Sequence, residues 1–384
     1  MLAQLNIVRA LFCHVMHKKL KLGMIGGGQG AFIGAIHRIA ARMDNEYDLV
    51  CGVFSSDPGI SAQSGKELGI IPERIYHNYQ ELFEKEKKLP KGQRIQVVAI
   101  VTPNHLHAEP ARLAMESGFH VIMDKPLSLN TLEATMLKDT VTRTGMLFCL
   151  TYTYSGYPMV KEARQIIAAG RLGTIRKVYV EYPQGWLSTP LEHTGNKQAQ
   201  WRTNPKKSGN AGALGDIGTH AFNLAEYVCG LNVISLCADV NKIVEGRALD
   251  DDTNVLLKFN NGASGILFAT QVAAGEENNI SIRVYGENGG LFWQQNDANS
   301  LLVKWLDRPS EVLRCGTNVQ YLSEHTVQNC RTPAGHPEGY LEAFANHYRN
   351  FALTIRAYQM RIKTKDAVIS EWLDYPDIDD GVRG

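Results

Sequence analysis

From Lys21 the chain alternates short apolar runs with amphipathic stretches. LKLGMI, YDLVCGVF, IQVVAIVT, FHVIMD and MLFCLTY read as strands, and each is too short and too uniformly apolar for a surface helix. Between them AIHRIAARM, PGISAQSGKELG, YQELFEKEKK, HAEPARLAMESG and TLEATMLKDTVTRTG read as helices, with Gly69 closing the second. Apolar strands separated by helices predict an α/β fold whose doubly wound parallel sheet is covered on both faces. Sheets of this kind bind ligands at the carboxyl ends of their strands. After about residue 150 the pattern changes. One helix, YPMVKEARQIIAAG, precedes the strand signals IRKVYVEY, VISLCADVNKIV, TNVLLKFN, ASGILFATQV, NISIRVYG and GGLFWQQ. Turn dipeptides such as Asn261-Gly262 and Asn288-Gly289 separate them, which predicts an α+β unit with a mainly antiparallel open sheet. A long excursion, residues 183 to 232, interrupts this sheet after its first strand.

Composition narrows the classes. The 384 residues suggest two domains, and 44 % apolar residues with 21 % charged ones suffice for a sizeable core. Forty basic residues stand against 39 acidic ones, which argues against a nucleic-acid partner or a polybasic membrane anchor. The seven cysteines (Cys13, Cys51, Cys149, Cys229, Cys237, Cys315 and Cys330) form no CxxC pair. Their odd number and apolar settings suit reduced thiols in a cytoplasmic protein rather than a disulfide framework or zinc ribbon. The N-terminal stretch carries its basic residues after its apolar part and offers no AxA-like cleavage site, so it reads as an extra arm, with Met16 as an alternative start. No run of about 18 apolar residues is present to span a membrane.

Three places carry candidate chemistry. IGGGQGAFIG (residues 25 to 34) follows the first strand and opens the first helix, the order a pyrophosphate cradle requires. Gly26 and Gly28 suit the first two glycine roles, and the third falls to Gly34 or Ala31. At the end of the second strand, where an acid would hold the ribose 2′-OH, the chain reads Phe54-Ser55-Ser56-Asp57. Ser55 serves either cofactor, and Asp57 tilts the choice towards NAD, with NADP as the alternative. Two further strand ends bring TPNHLH, with Thr102, Asn104 and His107, and MDKPLS, with Lys125 held extended before Pro126. A surface lysine in a turn is the plainer reading of Lys125, but its strand-end position favours the ligand edge. Finally, SGNAGALGDIGTHAFNLAEYV (residues 208 to 228) opens a helix with Asp216 and His220 four positions apart on one face. A cap and a satisfied core histidine explain that spacing as well as a site does. A metal site from this pair lacks a third ligand, so none is expected.

Taken jointly, GGGxxG after the first strand, TPNHLH, the DKP triplet and GxxGDIGTH resemble the glucose-fructose oxidoreductase, inositol dehydrogenase and MocA (Gfo/Idh/MocA) family of NAD(P)-dependent oxidoreductases, from about residue 20 onwards. The family pattern has Glu-Lys-Pro where this chain has Asp124. The resemblance implies an arm over 1–19, a Rossmann domain over 20–150, and a substrate-binding and oligomerisation domain over 151–384. It also implies a homodimer or homotetramer through the C-terminal sheet. Lys125, Asp216 and His220 then match the catalytic lysine, aspartate and histidine. His220 is the expected base, Lys125 stabilises the reacting oxygen, and Asp216 orients the substrate and keeps the imidazole or a neighbouring hydroxyl in place. Trp201-Arg202 falls where the family places a Trp-Arg pair near cofactor and substrate. In YTYSGYP, Thr153 and Ser155 replace the family's Asn and Arg, leaving Tyr154 as the pocket residue. Trp186 offers a flat apolar wall to a sugar ring, and His193 is either a substrate contact or a solvated loop residue.

The resulting expectation is a dehydrogenase acting on a secondary alcohol of a cyclic polyol or sugar (inositol, hexose, glycoside or anhydrosugar). The alternatives are an NAD-dependent glycosidase that oxidises transiently and a non-catalytic cofactor-binding regulator. At the C-terminus, DIDDG reads as a helix start capped by Asp379 or Asp380, consistent with either a truncated terminal helix or a frayed tail.

Overall fold

The computed structural model describes residues 18–360 and 374–384. The expected N-terminal arm, apart from Lys18 and Lys19, and Cys13 lie outside the described residues. The first sheet holds β1 (Leu20–Gly26), β2 (Tyr47–Val53), β3 (Val97–Val101), β4 (His120–Met123) and β5 (Phe148–Leu150). These run parallel in the order β2-β1-β3-β4-β5. Helices α1 (Phe32–Met43), α2 (Pro58–Glu67), α3 (Tyr79–Lys88), α4 (Ala108–Glu116) and α5 (Thr131–Thr144) lie between the strands in sequence. A parallel bridge from Ile75 to Gly52 adds the rudiment of a strand outside β2, completing the six-position order of a dinucleotide-binding sheet. Strand order reverses between β1 and β3, so the ligand crevice falls above their carboxyl ends. β3 and β4 are buried at every position, as their largely apolar sequences require, with His120 at the start of β4 accepting from the Leu147 amide.

The second half begins with α6 (Pro158–Ala168) and continues as a sheet of β6 (Lys177–Pro183), β7 (Val233–Asn241), β8 (Asp252–Phe259), β9 (Ser264–Thr270), β10 (Ser281–Tyr285), β11 (Gly289–Gln294), β12 (Ser300–Trp305) and β13 (Glu311–Arg314). Its order is β13-β12-β11-β10-β6-β9-β8-β7, antiparallel except for the β6–β9 pair. The excursion between β6 and β7 carries α7 (Lys197–Arg202), α8 (Pro205–Ser208) and α9 (Thr219–Cys229). One sheet face packs Val178, Val180, Leu267, Ile282 and Trp293 against α6 and α9. The other is open, and Leu256 is 60 % exposed on it beside half-buried Ile266 and Phe268.

The periodic segments read from the sequence stop near residue 295, and the structure adds β12, β13, α10 (Glu324–Val327) and a 20-residue helix, α11 (Tyr340–Gln359), beyond them. α11 returns to the first sheet, where Phe344, Tyr348, Phe351 and Ile355 share one core with Leu22, Met24 and Val97. Buried His37 on α1 meets the Tyr348 hydroxyl at 2.7 Å. The terminal helix α12 (Ile378–Arg383) sets Ile378 into the opposite core of the same sheet. A boundary at residue 150 therefore divides the chain but not the packing. Asp377, rather than Asp379 or Asp380, caps α12: its Oδ1 accepts from the Asp379 and Asp380 amides at 2.8 and 3.3 Å. Asp379 and Asp380 occupy the first turn, where their charge meets the positive end of the helix. No helix among the described residues is long and apolar enough to cross a membrane.

Phe351 is fully buried, and its ring packs edge-on to Tyr375 at 5.2 Å. Phe351→Ala should lower unfolding free energy by about 3–5 kcal/mol, the usual loss for a large buried aromatic. Urea unfolding followed by circular dichroism measures it. A loss under about 1 kcal/mol would mean that α11 is a peripheral attachment.

Candidate active site

At the β1–α1 turn the backbone is too tight for side chains. A Cβ on Gly28 would lie 2.6 Å from the Phe54 carbonyl oxygen, and one on Gly34 would lie 2.3 Å from the Gly27 Cα. Gly34, and not Ala31, is thus the residue that lets α1 close on the turn, while Gly26 takes a left-handed φ of +88°. Ala31 offers no side-chain cap to α1, and the Gln29 amide is anchored on Ser64 Oγ at 3.1 Å. The result is a narrow cradle at a helix N-terminus, which fits a dinucleotide pyrophosphate. Ser55 follows β2, its Oγ accepting from the Asp57 amide at 3.1 Å. The Asp57 carboxylate caps α2 through the Ile60 amide at 2.9 Å.

The stretch carrying Asp216 and His220 starts where the chain presses on Asp250. A Cβ on Gly212 would lie 2.0 Å from the Asp250 carbonyl oxygen, and the Asp250 carboxylate accepts from the Gly212 and Leu214 amides at 2.6 and 2.7 Å. Residues Leu214–Gly218 then form a π-helical turn before α9. The Asp216 carboxylate is not spent on the imidazole four residues later. Asp216 faces Lys125 instead: Nζ donates to its Oδ1 and to its backbone carbonyl, both at 2.6 Å. Arg202 Nε donates to Oδ2 at 3.1 Å, and Gln271 Nε2 to the same oxygen at 2.9 Å. Burial alone would raise the Asp216 carboxyl, but the Lys125 and Arg202 cations outweigh it and hold the group well below the usual carboxylate range. Arg202 is itself held over the Trp201 ring at 4.3 Å, with Trp186 at 5.8 Å.

His220 sits in an aromatic box, 5.6 Å from Tyr152, 5.0 Å from Tyr154 and 6.3 Å from Tyr182 between ring centroids. Burial pushes its pKa down to about 3, and the Lys125 cation adds to the shift. The imidazole is therefore neutral in neutral solution. The Asp216–imidazole contact anticipated from the sequence is not formed; His220 Nδ1 is buried without a hydrogen-bond partner. Asp124, in the place of the family's Glu, lies below the lysine and is bonded by the Thr151 hydroxyl at 3.1 Å, with His37 Nε2 3.8 Å away. Burial opposes its charge, yet His37 brings its pKa down to about 2.

The remaining candidates divide. Tyr154 is buried beside His220, and its hydroxyl meets that of Tyr182. Asn104 ties its turn to the Ser208 carbonyl at 3.1 Å, and Thr102 Oγ1 donates to the Leu106 carbonyl at 2.8 Å. His107 is corrected from a cofactor contact to a strut. It is fully buried, with Nδ1 2.7 Å from the Pro126 carbonyl and Nε2 2.8 Å from that of Thr102, so it joins the two motif turns from beneath. Thr153 and Ser155 are buried, Ser155 bonding the Tyr152 carbonyl. His193 lies exposed on the excursion. Tyr182, Gln184, Gln271 and Asn278 join the site without having been marked by the sequence. Tyr182, Gln184 and Gln271 stand in or just after strands and Asn278 in the loop before β10, where only the register of the second sheet brings them together.

The chain matches two family models in sequence: the oxidoreductase family's NAD-binding Rossmann fold over residues 20–152, and the GFO/IDH/MocA C-terminal domain over 160–292. It is 34 % identical to the uncharacterized oxidoreductase YfiI of Bacillus subtilis (strain 168), over 96 % of this chain and 93 % of that protein. The levoglucosan dehydrogenase of Pseudarthrobacter phenanthrenivorans is 29 % identical over 74 % of this chain and 76 % of its own. An inositol dehydrogenase homolog from Azotobacter vinelandii, complexed with NADH and myo-inositol, superposes with a TM-score of 0.87 at 35 % identity, covering 96 % of this chain and 93 % of that one. With its glycine cradle, two-domain architecture and these matches, the chain belongs to the Gfo/Idh/MocA family and is an oxidoreductase with an NAD-binding Rossmann domain.

Proposed function

We propose that this chain is an NAD-dependent dehydrogenase that reversibly oxidises a secondary alcohol of a cyclic polyol or sugar to the ketone. The observation carrying the reading is the Lys125–Asp216 pair at 2.6 Å, set beside a neutral, buried His220 above the carboxyl edge of the sheet. The levoglucosan dehydrogenase and the myo-inositol complex among its relatives support the substrate class. Gly26, Gly28, Gly34 and Ser55 would hold the dinucleotide, with Thr102, Asn104, Lys125 and Arg202 along the same edge. When bound, NAD supplies the acceptor for the hydrogen and electron pair that leave the carbinol carbon. His220 takes the hydroxyl proton, a role that requires the neutral imidazole. Lys125 donates to the same oxygen and stabilises the negative charge that develops on it. Asp216 keeps the lysine aimed through its carboxylate and its backbone carbonyl. Tyr154, Trp186 and Trp201 would line the substrate, and His193 would reach it only from the loop. A serine edge at β2 favours NAD while still admitting NADP.

A homodimer or homotetramer through the open face of the second sheet is part of the proposal. Leu256, 60 % exposed, lies on that face with half-buried Ile266 and Phe268 of β9 and exposed Cys237 of β7. The exposed Cys237 and the buried free thiols support a reducing, cytoplasmic setting.

Net NADH formation across a panel of inositols, hexoses and levoglucosan tests the reaction; release of an aglycone without net NADH would point to a glycosidase instead, and cofactor binding without either to a regulator. His220→Ala should lower kcat by about 10²-fold or more with NADH affinity nearly unchanged. Lys125→Met should lose most turnover and move the acid limb of kcat/KM upward. The cation depresses the imidazole, so its removal raises the pKa at which the base is protonated. Near-normal turnover in either variant contradicts the assignment. Leu256→Asp combined with Ile266→Asp should shift the protein to monomer in light scattering; an unchanged mass would move the interface elsewhere.

A further inference from the structure

Gln271 is 2 % exposed, yet its amide orientation can be derived from its partners. Indole nitrogen only donates, so Trp186 Nε1, 3.0 Å from Gln184, fixes Oε1 of that glutamine as the acceptor. Gln184 Nε2 then donates to Asn278 Oδ1 at 2.5 Å, where the Tyr182 hydroxyl also donates at 2.7 Å. Asn278 Nδ2 is left to donate to Gln295 Oε1 at 2.9 Å. A carboxylate only accepts, so the Gln271 group 2.9 Å from Asp216 Oδ2 is the NH2, which also faces Gln184 Oε1 at 3.3 Å. Both neighbours demand the same orientation. Gln271 Oε1 is thereby turned away from them; it accepts no hydrogen bond from a described residue and is not among the sealed, unpaired atoms.

We infer that Gln271 reads a hydroxyl on a ring carbon next to the reacting one, with its Oε1 as the acceptor. The inference rests on the dehydrogenase reading and deepens it. Lys125 and Gln271 hold opposite oxygens of one carboxylate, so a substrate oxygen on the lysine places its neighbouring hydroxyl towards the carboxamide. The bare acceptor requires a donor. A vicinal hydroxyl satisfies it, whereas a deoxy, O-methyl or keto position leaves a desolvated oxygen unpaired. The amide and phenol chain behind Gln271 is neutral, which suits an uncharged polyol. Gln184, Asn278 and Tyr182 act as positioning residues, since they touch the substrate only through the orientation they impose.

The test uses the full chain with NAD and the best member of the polyol panel, together with its two vicinal monodeoxy analogues. Wild type should lose about 10- to 100-fold in kcat/KM for one analogue, the usual consequence of an unpaired buried acceptor. Gln271→Met should lose a similar factor on the parent and no longer distinguish parent from that analogue. Its NADH affinity and melting temperature should stay near wild type, which separates lost recognition from lost folding. Gln184→Met, which frees the Gln271 amide to rotate, should give a smaller loss of the same discrimination. If wild type oxidises a polyol but Gln271→Met keeps the wild-type ratio between parent and analogue, this inference falls and the dehydrogenase reading stands. If wild type neither oxidises nor binds any member of the panel in the presence of NADH, both fall.

Discussion

Asp216 is a largely buried anion whose three donors come from three separate parts of the chain: Lys125 after β4, Arg202 at the end of α7 and Gln271 after β9. Removing Lys125 or Arg202 would leave that charge poorly compensated, typically a loss of about 3–5 kcal/mol, so the arrangement tolerates little drift. The π turn at Leu214–Gly218 and its anchor on Asp250 exist in the same place. Together they turn the carboxylate towards the first domain and leave His220 in an apolar box one turn later. The charge separation that follows is useful chemically. The aspartate stays an anion between Lys125 and Arg202, and the histidine stays neutral because it is dry and near the lysine.

The rest of the architecture keeps the two domains in register around this contact. α11 carries its aromatic side chains across the first sheet, and α12 closes the other face, so the C-terminal end of the second half grips both faces of the first sheet. His107 spans the two motif turns, which fixes Thr102 and Pro126 relative to one another and hence the lysine that precedes the proline. Positioning here is a property of packed backbone rather than of flexible side chains.

Much of this was legible in the sequence because the relevant signals are local. Strand–glycine–helix order marked the cradle, strand-end placement marked Lys125, and four-residue spacing marked Asp216 and His220. Non-local facts were not legible. Helical spacing put Asp216 and His220 together, but the Asp216 carboxylate is bonded by Lys125, Arg202 and Gln271, which come from distant parts of the chain. His107 resembled its ligand-edge neighbours in sequence, although its burial makes it a strut. Gln184, Gln271 and Asn278 carry no motif; Gln184 and Gln271 converge because β6 and β9 pair in parallel and end together, and Asn278 joins them from the loop leading into β10, which also pairs with β6. The span beyond residue 295 contains α11, whose apolar face has meaning only once the first sheet is there to receive it.

The central claim is that one buried carboxylate aligns the lysine that stabilises the reacting oxygen. Replacing Asp216 by Asn preserves its shape and removes its charge. Single-turnover reduction of NAD by Asp216→Asn, measured beside its NADH affinity, should show a loss in rate of about 10²-fold or more with affinity nearly intact. Unchanged single-turnover rate in a folded, NADH-binding Asp216→Asn protein would contradict the account.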